Sequence, residues 1–373
     1  MLSNIDRTHV CEKDLCNGCM ACVEKCAKSA ITITDDLSAY NAVIDSTLCV
    51  GCGQCTAVCP QNHAPKKILP NAWHQGWALN ESVRARSSSG GLATELSQSF
   101  IQHGGIVCSC LFKQGEFLFD FATATEEANR FSGSKYVKST PKGVYKKLRD
   151  YLKSGKKVLF IGLPCQVAGA KNFIGEHELL YTIDLICHGT PSPQTLKMYL
   201  SEKHRNIEEM ASVQFRKKTS FYLSDGSQSI EPSPTIQDRY TMAFLQSLCY
   251  TENCYSCTYA DTARISDLTL GDSWGSTLDT EEQAKGISLI LSQTEKGDFL
   301  LNLANVHLES VDVERAIANN KQLRAPSKKP QEHDLFFAAL RKYNRFSKAV
   351  GKCYPKTCFR QKVKALLFKM KLM

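Results

Sequence analysis

Two cysteine runs with the same spacing constrain this chain more than any other feature. CNGCMACVEKC places Cys16, Cys19, Cys22 and Cys26 at intervals of three, three and four residues; CVGCGQCTAVCP repeats the pattern at Cys49, Cys52, Cys55 and Cys59, followed by Pro60. Each cysteine of the first run lies 33 residues before its counterpart, so the front of the chain is a duplicated unit. Three thiolates two residues apart let a tight loop wrap one face of an iron–sulfur cubane, and the fourth starts a short helix on the far side. Gly18, Gly51 and Gly53 let the backbone approach the sulfurs. Zinc also takes four thiolates, but usually from two separated CxxC pairs rather than a three-plus-one run.

This is the spacing of bacterial two-cluster ferredoxins, in which the fourth cysteine of each run ligates the other cluster. One 4Fe–4S cluster is therefore assigned to Cys16, Cys19, Cys22 and Cys59, and the other to Cys49, Cys52, Cys55 and Cys26. AITIT (30–34) and AVID (42–45) read as short strands between the loops. The small ferredoxin-like domain spans 1–65. Cys11 lies outside the pattern and reads as a spare thiol.

Composition narrows the rest. The 373 residues are 22 % charged and 43 % hydrophobic, an ordinary globular balance with room for two or three domains of about 100–200 residues. A mean hydropathy of -0.26 and the lack of a long apolar run argue against a transmembrane helix. The polar start, MLSNIDRTHVCEKDLC, does not resemble a signal peptide. These features predict a cytoplasmic protein, where the clustered ones among 18 cysteines read as metal ligands rather than disulfides. The net charge of +9 comes from the end of the chain: residues 335–373 hold eleven Lys and Arg and no Asp or Glu, which leaves −2 for the remainder. A nucleic-acid-binding core is not indicated. The segment 331–373 alternates basic and apolar residues at helical spacing. It reads as a helical cover for the large domain with its charges in water, or as a segment for peripheral contact with an anionic membrane or an acidic partner.

After a connector over 66–83, residues 84–330 alternate glycine turns, apolar strands and helical stretches, the pattern of an α/β domain. The overall class is α+β and α/β in series. Ser87, Ser88, Ser89, Gly90 and Gly91 run straight into an amphipathic helix, whose free N–H groups suit a phosphate or pyrophosphate. VLFIGLPC and LLYTIDLIC end at Cys165 and Cys187, near the carboxyl ends of strands where such sheets gather their chemistry. ENCYSC adds Cys254 and Cys257. These four thiols make a candidate third 4Fe–4S cluster, or else Cys165 and Cys187 are packing residues. Cys108, Cys110, Cys249, Cys353 and Cys358 read as packing or free thiols.

SSSGGLATEL, SKYVKS, GKKVLFIGLPCQVAGAK, DLICHGTPSP, NCYSCTYADTARISDLTLGDSWG and KGISLILSQTEKG follow in order. With the cysteine repeat, they resemble the coenzyme F420 hydrogenase/dehydrogenase beta-subunit family over Cys16 to about Gly297. The resemblance implies an iron–sulfur flavoprotein oxidoreductase, with FAD in the large domain converting between one-electron clusters and a two-electron, hydride-type substrate or coenzyme. It makes Ser87–Gly91 and Ser134, Lys135 and Tyr136 flavin contacts, with Gly271, Asp272, Trp274 and Gly275 as weaker ones. Lys135 would stabilise an anionic reduced flavin, and His188 could relay a proton. Arg264, Asp267 and Asp272 stand open between salt-bridge architecture and substrate contact. The partners expected are a ferredoxin-type or complex-borne electron donor or acceptor and an unidentified two-electron substrate. The alternatives are an electron-transfer subunit of a larger hydrogenase or formate dehydrogenase-like complex, and a zinc-bound interaction module.

Overall fold

The computed structural model describes residues 8–370 apart from 227, 232, 234 and 235. The first seven residues and Lys371 of the basic segment lie outside the described residues. In the N-terminal lobe, β1 (Ile31–Asp35) and β2 (Tyr40–Ile44) pair antiparallel, and short helices at Ala21–Lys25 and Gln54–Val58 follow the two cysteine loops. Gly18, Gly51 and Gly53 all take φ near +70°. Met20, the counterpart of Gly53, takes φ 63°, so the first loop keeps the left-handed turn at a non-glycine residue, which costs it some strain.

The large domain is a mixed α/β unit. Its strands are β3 (Ala72–Ala78), β4 (Ile106–Lys113), β5 (Glu116–Ala122), β6 (Val158–Gly162) and β7 (Leu180–Leu185), then the separate hairpin β8 (Gln214–Lys217) and β9 (Ser220–Ser224), and finally β10 (Leu268–Asp272), β11 (Ser288–Ser292) and β12 (Val306–Ser310). Eight of them form one sheet in the order β12-β3-β11-β10-β7-β6-β4-β5. The middle strands β10, β7, β6 and β4 run parallel, and antiparallel strands flank them on both sides. β6 is buried throughout and β7 nearly so, which is why their sequences are continuous apolar runs rather than alternating ones.

Residues 66–83, expected as a connector, supply β3, hydrogen-bonded between β11 and β12. The physical reason is that AWHQGWA contains a glycine and no β-branched residue, so its strand character comes from its two neighbours rather than from its own composition. Cys165 also differs from expectation in detail: it sits in the first turn of helix Pro164–Ile174, just beyond β6, with Pro164 at the helix start.

One face of the sheet carries helices Leu92–Gln102 and Glu295–Leu303. The other packs helices Val144–Lys153 and Pro164–Ile174 against the N-terminal lobe, so Cys16, Cys19, Cys22 and Cys59 share a core with Tyr145, Phe160 and Phe173. Helices His333–Tyr343 and Phe346–Cys353 close a second core beside the β8–β9 hairpin. The last helix, Pro355–Lys369, buries Cys358 but leaves Phe359, Val363 and Leu366 exposed. No helix among the described residues is long and apolar enough to cross a membrane.

Candidate functional site

The two halves of the cysteine repeat occupy different environments. Cys16, Cys19, Cys22 and Cys59 are buried, whereas Cys49 and Cys52 are exposed and Cys26 and Cys55 are half-buried. Burial pushes the Cys19 thiol well above its ordinary value, and the charges of Cys22, Cys16 and Cys59 add to this; Cys22 is raised in the same way. Cys55 is raised by burial with a contribution from Cys26. Backbone N–H groups of Gly18, Ala30 and Gly51 point at Cys16, Cys26 and Cys49 Sγ at 3.4 Å each, the donors a thiolate needs. Cys11, read as a spare thiol, packs against the core that holds Cys16 and Cys59, and those two thiols together with burial raise its pKa.

Cys165, Cys187, Cys254 and Cys257 come together from three segments. Burial raises Cys187 well above its ordinary value, followed by the charges of Cys254, Cys165 and Cys257. Cys165 is pushed up to about 12 by burial, opposed by Lys138. Cys254 Sγ accepts from Thr190 N at 3.4 Å. Four crowded thiols, each shielded at least in part from solvent, call for a soft, multiply charged partner before they ionise together. Among the described residues, no three His, Cys, Asp or Glu side chains are set to hold a single metal ion. A thiol-only donor set is the kind that holds an iron–sulfur cluster. Two buried polar atoms beside the cysteines have no partner, Asn17 Nδ2 and the Tyr259 hydroxyl, and both fit as donors to cluster sulfur.

Cys187 and His188 also line a cavity of about 250 Å³ at the carboxyl ends of β6, β7 and β10. The same cavity gathers Ser87, Ser88, Ser89, Gly91, Ser134, Lys135, Tyr136, Gly271 and Asp272. Trp274 and Gly275 are not part of its lining, and Gly90 packs beneath it against Gly76 and Ser288. Ser88 Oγ accepts from Ser134 N at 2.9 Å, joining the two segments. Ser87 and Ser89 donate their hydroxyls to Val83 O and Ile287 O, which leaves Ser88 and the free N–H groups of helix Leu92–Gln102 facing the space. That helix has Gly91 at its N-cap and no side-chain cap. Lys135 Nζ donates to Phe131 O at 2.6 Å and Ser132 O at 3.0 Å, and burial lowers its pKa. His188 is exposed in the cavity wall.

The residues left open by sequence separate clearly. Arg264 pairs with Asp184 in the core. Asp267 accepts from Thr182 N, Thr182 Oγ1 and Thr294 Oγ1. Both are architecture. Asp272 instead lines the cavity, held by Arg216 at 2.6 and 3.0 Å. Sequence reading missed Arg216: it sits on the β8–β9 hairpin, remote in the chain, and its Nη2 also donates to Ser88 O at 2.8 Å. No local pattern signals it.

A second cleft, about 990 Å³, shares Ser87, Ser88, Thr94 and Ser132–Lys135 with the first. Arg86, Lys113, Arg130, Lys135, Arg216 and Lys217 line it, with no Asp or Glu among the described lining residues.

The chain matches known families in both of its parts. Residues 155–315 match the family described as the C terminus of the coenzyme F420 hydrogenase/dehydrogenase beta subunit. Residues 15–63 and 41–95 match 4Fe–4S dicluster domains. Over residues 155–315 the large domain is similar to the beta subunits of coenzyme F420 hydrogenases and dehydrogenases. The chain is an iron–sulfur oxidoreductase of that type, with a dicluster domain for two 4Fe–4S clusters. One subunit of the F(420)H(2) dehydrogenase of Methanosarcina mazei is 24 % identical over 306 residues, covering 77 % of this chain and 85 % of the relative. The coenzyme F420-dependent sulfite reductase of Methanocaldococcus jannaschii is 23 % identical over 330 residues, 73 % of this chain; the chain spans 49 % of that relative's length. A chain of the F420-reducing nickel–iron hydrogenase complex from Methanosarcina barkeri aligns with a TM-score of 0.42 and 14 % identity, covering 71 % of this chain and 97 % of that chain.

Proposed function

We propose that this protein exchanges electrons between its clusters and a two-electron substrate, with FAD in the joined clefts and a third 4Fe–4S cluster on Cys165, Cys187, Cys254 and Cys257. FAD supplies the ability to exchange electrons singly with clusters and in pairs, as hydride, with a substrate. The observation that carries the reading is the position of Cys187. It belongs to the four-thiol set and to the wall of the serine-lined cavity at once.

The chain's own groups divide the work of binding. Ser88 and the uncapped start of helix Leu92–Gln102 present donors to an anion. The carboxylate-free wall of the second cleft adds positive charge for the pyrophosphate of a dinucleotide, which is too long for the smaller cavity alone. Tyr136, stacked on Phe244 at 4.3 Å between ring centroids, gives a flat apolar wall. Lys135 places a cation beside the same space, and His188 is open to it for proton exchange.

A second element of the reading concerns the partner. Leu48 and Val50 flank Cys49 and are 49 % and 65 % exposed. An apolar collar around the exposed half of the repeat suits docking of a ferredoxin-type donor or acceptor, or of a neighbouring subunit in a larger complex. Anaerobic purification followed by iron, sulfide and flavin quantitation tests the whole proposal. About twelve irons and one FAD per chain are expected, and Cys187→Ser should remove about four irons while keeping the ferredoxin-type EPR signals. Unchanged iron in that variant refutes the third cluster; iron-loaded protein that takes up no FAD refutes the flavin.

A further inference from the structure

Two buried polar side chains lie between the inner half of the cysteine repeat and the third thiol set. Lys138 is 4 % exposed. Its backbone N–H donates to Pro191 O at 2.9 Å, in the loop after Cys187. Its ammonium reaches the other way, to Asn17 O at 3.4 Å, and lies 5.1 Å from the Tyr40 ring centroid. Among the described residues it has no carboxylate partner. An ammonium buried without a counter-ion is costly. The Lys138 ammonium thus faces the loop that carries Cys16, while its backbone is tied to the segment that follows Cys187.

Tyr259 is the second group. It is 6 % exposed, and its hydroxyl has no hydrogen-bond partner. It shares a core with cysteines of both sets, Cys19 and Cys59 from the repeat and Cys165 and Cys257 from the four-thiol group. Arg264 fixes the residue by donating to its backbone carbonyl at 2.6 Å. An unpaired buried hydroxyl is costly, a cost that disappears if cluster sulfur accepts its hydrogen bond.

We infer that Lys138 and Tyr259 form a polar bridge between the inner cubane of the repeat and the third cluster, holding both at higher reduction potential than the outer cubane's environment would. This rests on the third-cluster reading above. The physical basis is that a 4Fe–4S site with four thiolates is anionic and gains one more negative charge on reduction. A fixed cation and an O–H donor favour the reduced form at each site they face. They are positioning residues and enter no bond-making step.

The test is an EPR-monitored redox titration of the iron-loaded full chain. Lys138→Met should shift the reduced-to-oxidised ratio of both the inner and third clusters about tenfold towards oxidised at fixed potential, about 59 mV for a one-electron couple. The outer cubane should not move. Lys138→Arg should restore the potentials, and Tyr259→Phe, which removes one atom, should shift both clusters the same way by about threefold. Iron content separates the two readings: about eight irons per wild-type chain means the third cluster is absent, and the shift of the inner cubane alone then decides the role of Lys138. If Lys138→Met assembles no inner cluster, Tyr259→Phe and Lys138→Arg decide. Unmoved potentials in fully loaded variants, or equal shifts in all clusters, overturn the inference.

Discussion

The buried pair Arg264–Asp184 should be indispensable to the loop that carries Cys254 and Cys257. The two side chains are 1 % and 0 % exposed. Arg264 donates to Asp184 Oδ1 through Nη2 at 2.7 Å and Nε at 3.2 Å. Its remaining donors reach Tyr259 O at 2.6 Å and Leu185 O at 3.3 Å, tying the cysteine loop to β7. At an effective dielectric of about 20, the Coulomb attraction at that distance is about 6 kcal/mol, but desolvating both ions costs a similar amount. The intact pair therefore contributes little net stability, whereas removing one partner strands the other. Asp184 Oδ2 already lacks a donor, so Arg264→Met leaves a wholly unpaired buried carboxylate and should cost about 4 kcal/mol. With m about 3 kcal/mol/M, the urea midpoint of the iron-loaded chain falls by about 1.3 M. Asp184→Leu alone should cost about as much. The double variant should lose only about 2 kcal/mol, mainly from the undonated carbonyls of Tyr259 and Leu185. A double-mutant cycle in urea measures this directly. A loss under about 1 kcal/mol for Arg264→Met, or additive losses in the double variant, would refute the reasoning.

Other consequences follow from contacts around the same sites. At Gly169, an added Cβ would meet Cys19 Cβ and Tyr145 Oη at 3.0 Å and Cys19 Sγ at 3.1 Å. The overpacking penalty of about 1–3 kcal/mol outweighs the helix gain of about 0.5–1 kcal/mol, so Gly169→Ala should lower the urea midpoint and perturb the inner cubane's EPR signal; a stabilised variant would contradict this. Lys218 is pushed down to about 8 by burial, with Arg84, Arg216 and Lys217 adding to it, and it donates to Arg84 O and Ser89 O in the serine loop. An anion bound nearby raises that pKa, so FAD affinity should be fully present below pH 8 and fall as pH rises through the complex's pKa, by at most about tenfold per unit. Flavin fluorescence titrations from pH 7 to pH 10 read this out, and Lys218→Met should flatten the profile; a flat wild-type profile counts against it. A bathophenanthroline-type chelator should take about four irons in a fast phase, from the cluster on Cys49 and Cys52, because those ligands are exposed. A single phase for all the iron would show that exposure does not govern access.

The parts of the molecule legible in sequence are those encoded by short spacings. The cysteine repeat fixes its own loops, and apolar runs bounded by turns locate β6 and β7, with Cys165 and Cys187 just beyond their ends. The serine-glycine run and the SKY segment are each weak signals alone, and the fold brings them together through Ser88 Oγ and Ser134 N. What sequence could not show depends on partners distant along the chain. β3 is a strand because β11 and β12 pair with it. Arg216 reaches the cavity from a hairpin whose own residues carry no chemical motif. Lys138 and Tyr259 fall inside recognisable segments, but only burial sets Lys138 apart from surface lysines, and only its unpartnered hydroxyl sets Tyr259 apart from other core tyrosines.

The repeat also shows where shared residues stop being informative. Its two halves have identical cysteine spacing, so the spacing alone cannot say which half faces the large domain. The positions that differ can. Glu24, in the first run, is buried and accepts from Val144 N at 3.1 Å and Lys146 N at 3.0 Å. These are donors at the start of helix Val144–Lys153, which has Gly143 at its N-cap and no side-chain cap of its own. The carboxylate thus satisfies orphan N–H groups and the positive end of a helix in the other lobe at once. Its counterpart 33 residues on is Ala57, which offers neither charge nor acceptor. Asn17, buried beside Lys138, corresponds to Val50, which is 65 % exposed. Duplication therefore explains how two clusters are held, while the divergence at Asn17 and Glu24 turns one of them inward, towards the four-thiol site, and leaves the other at the surface.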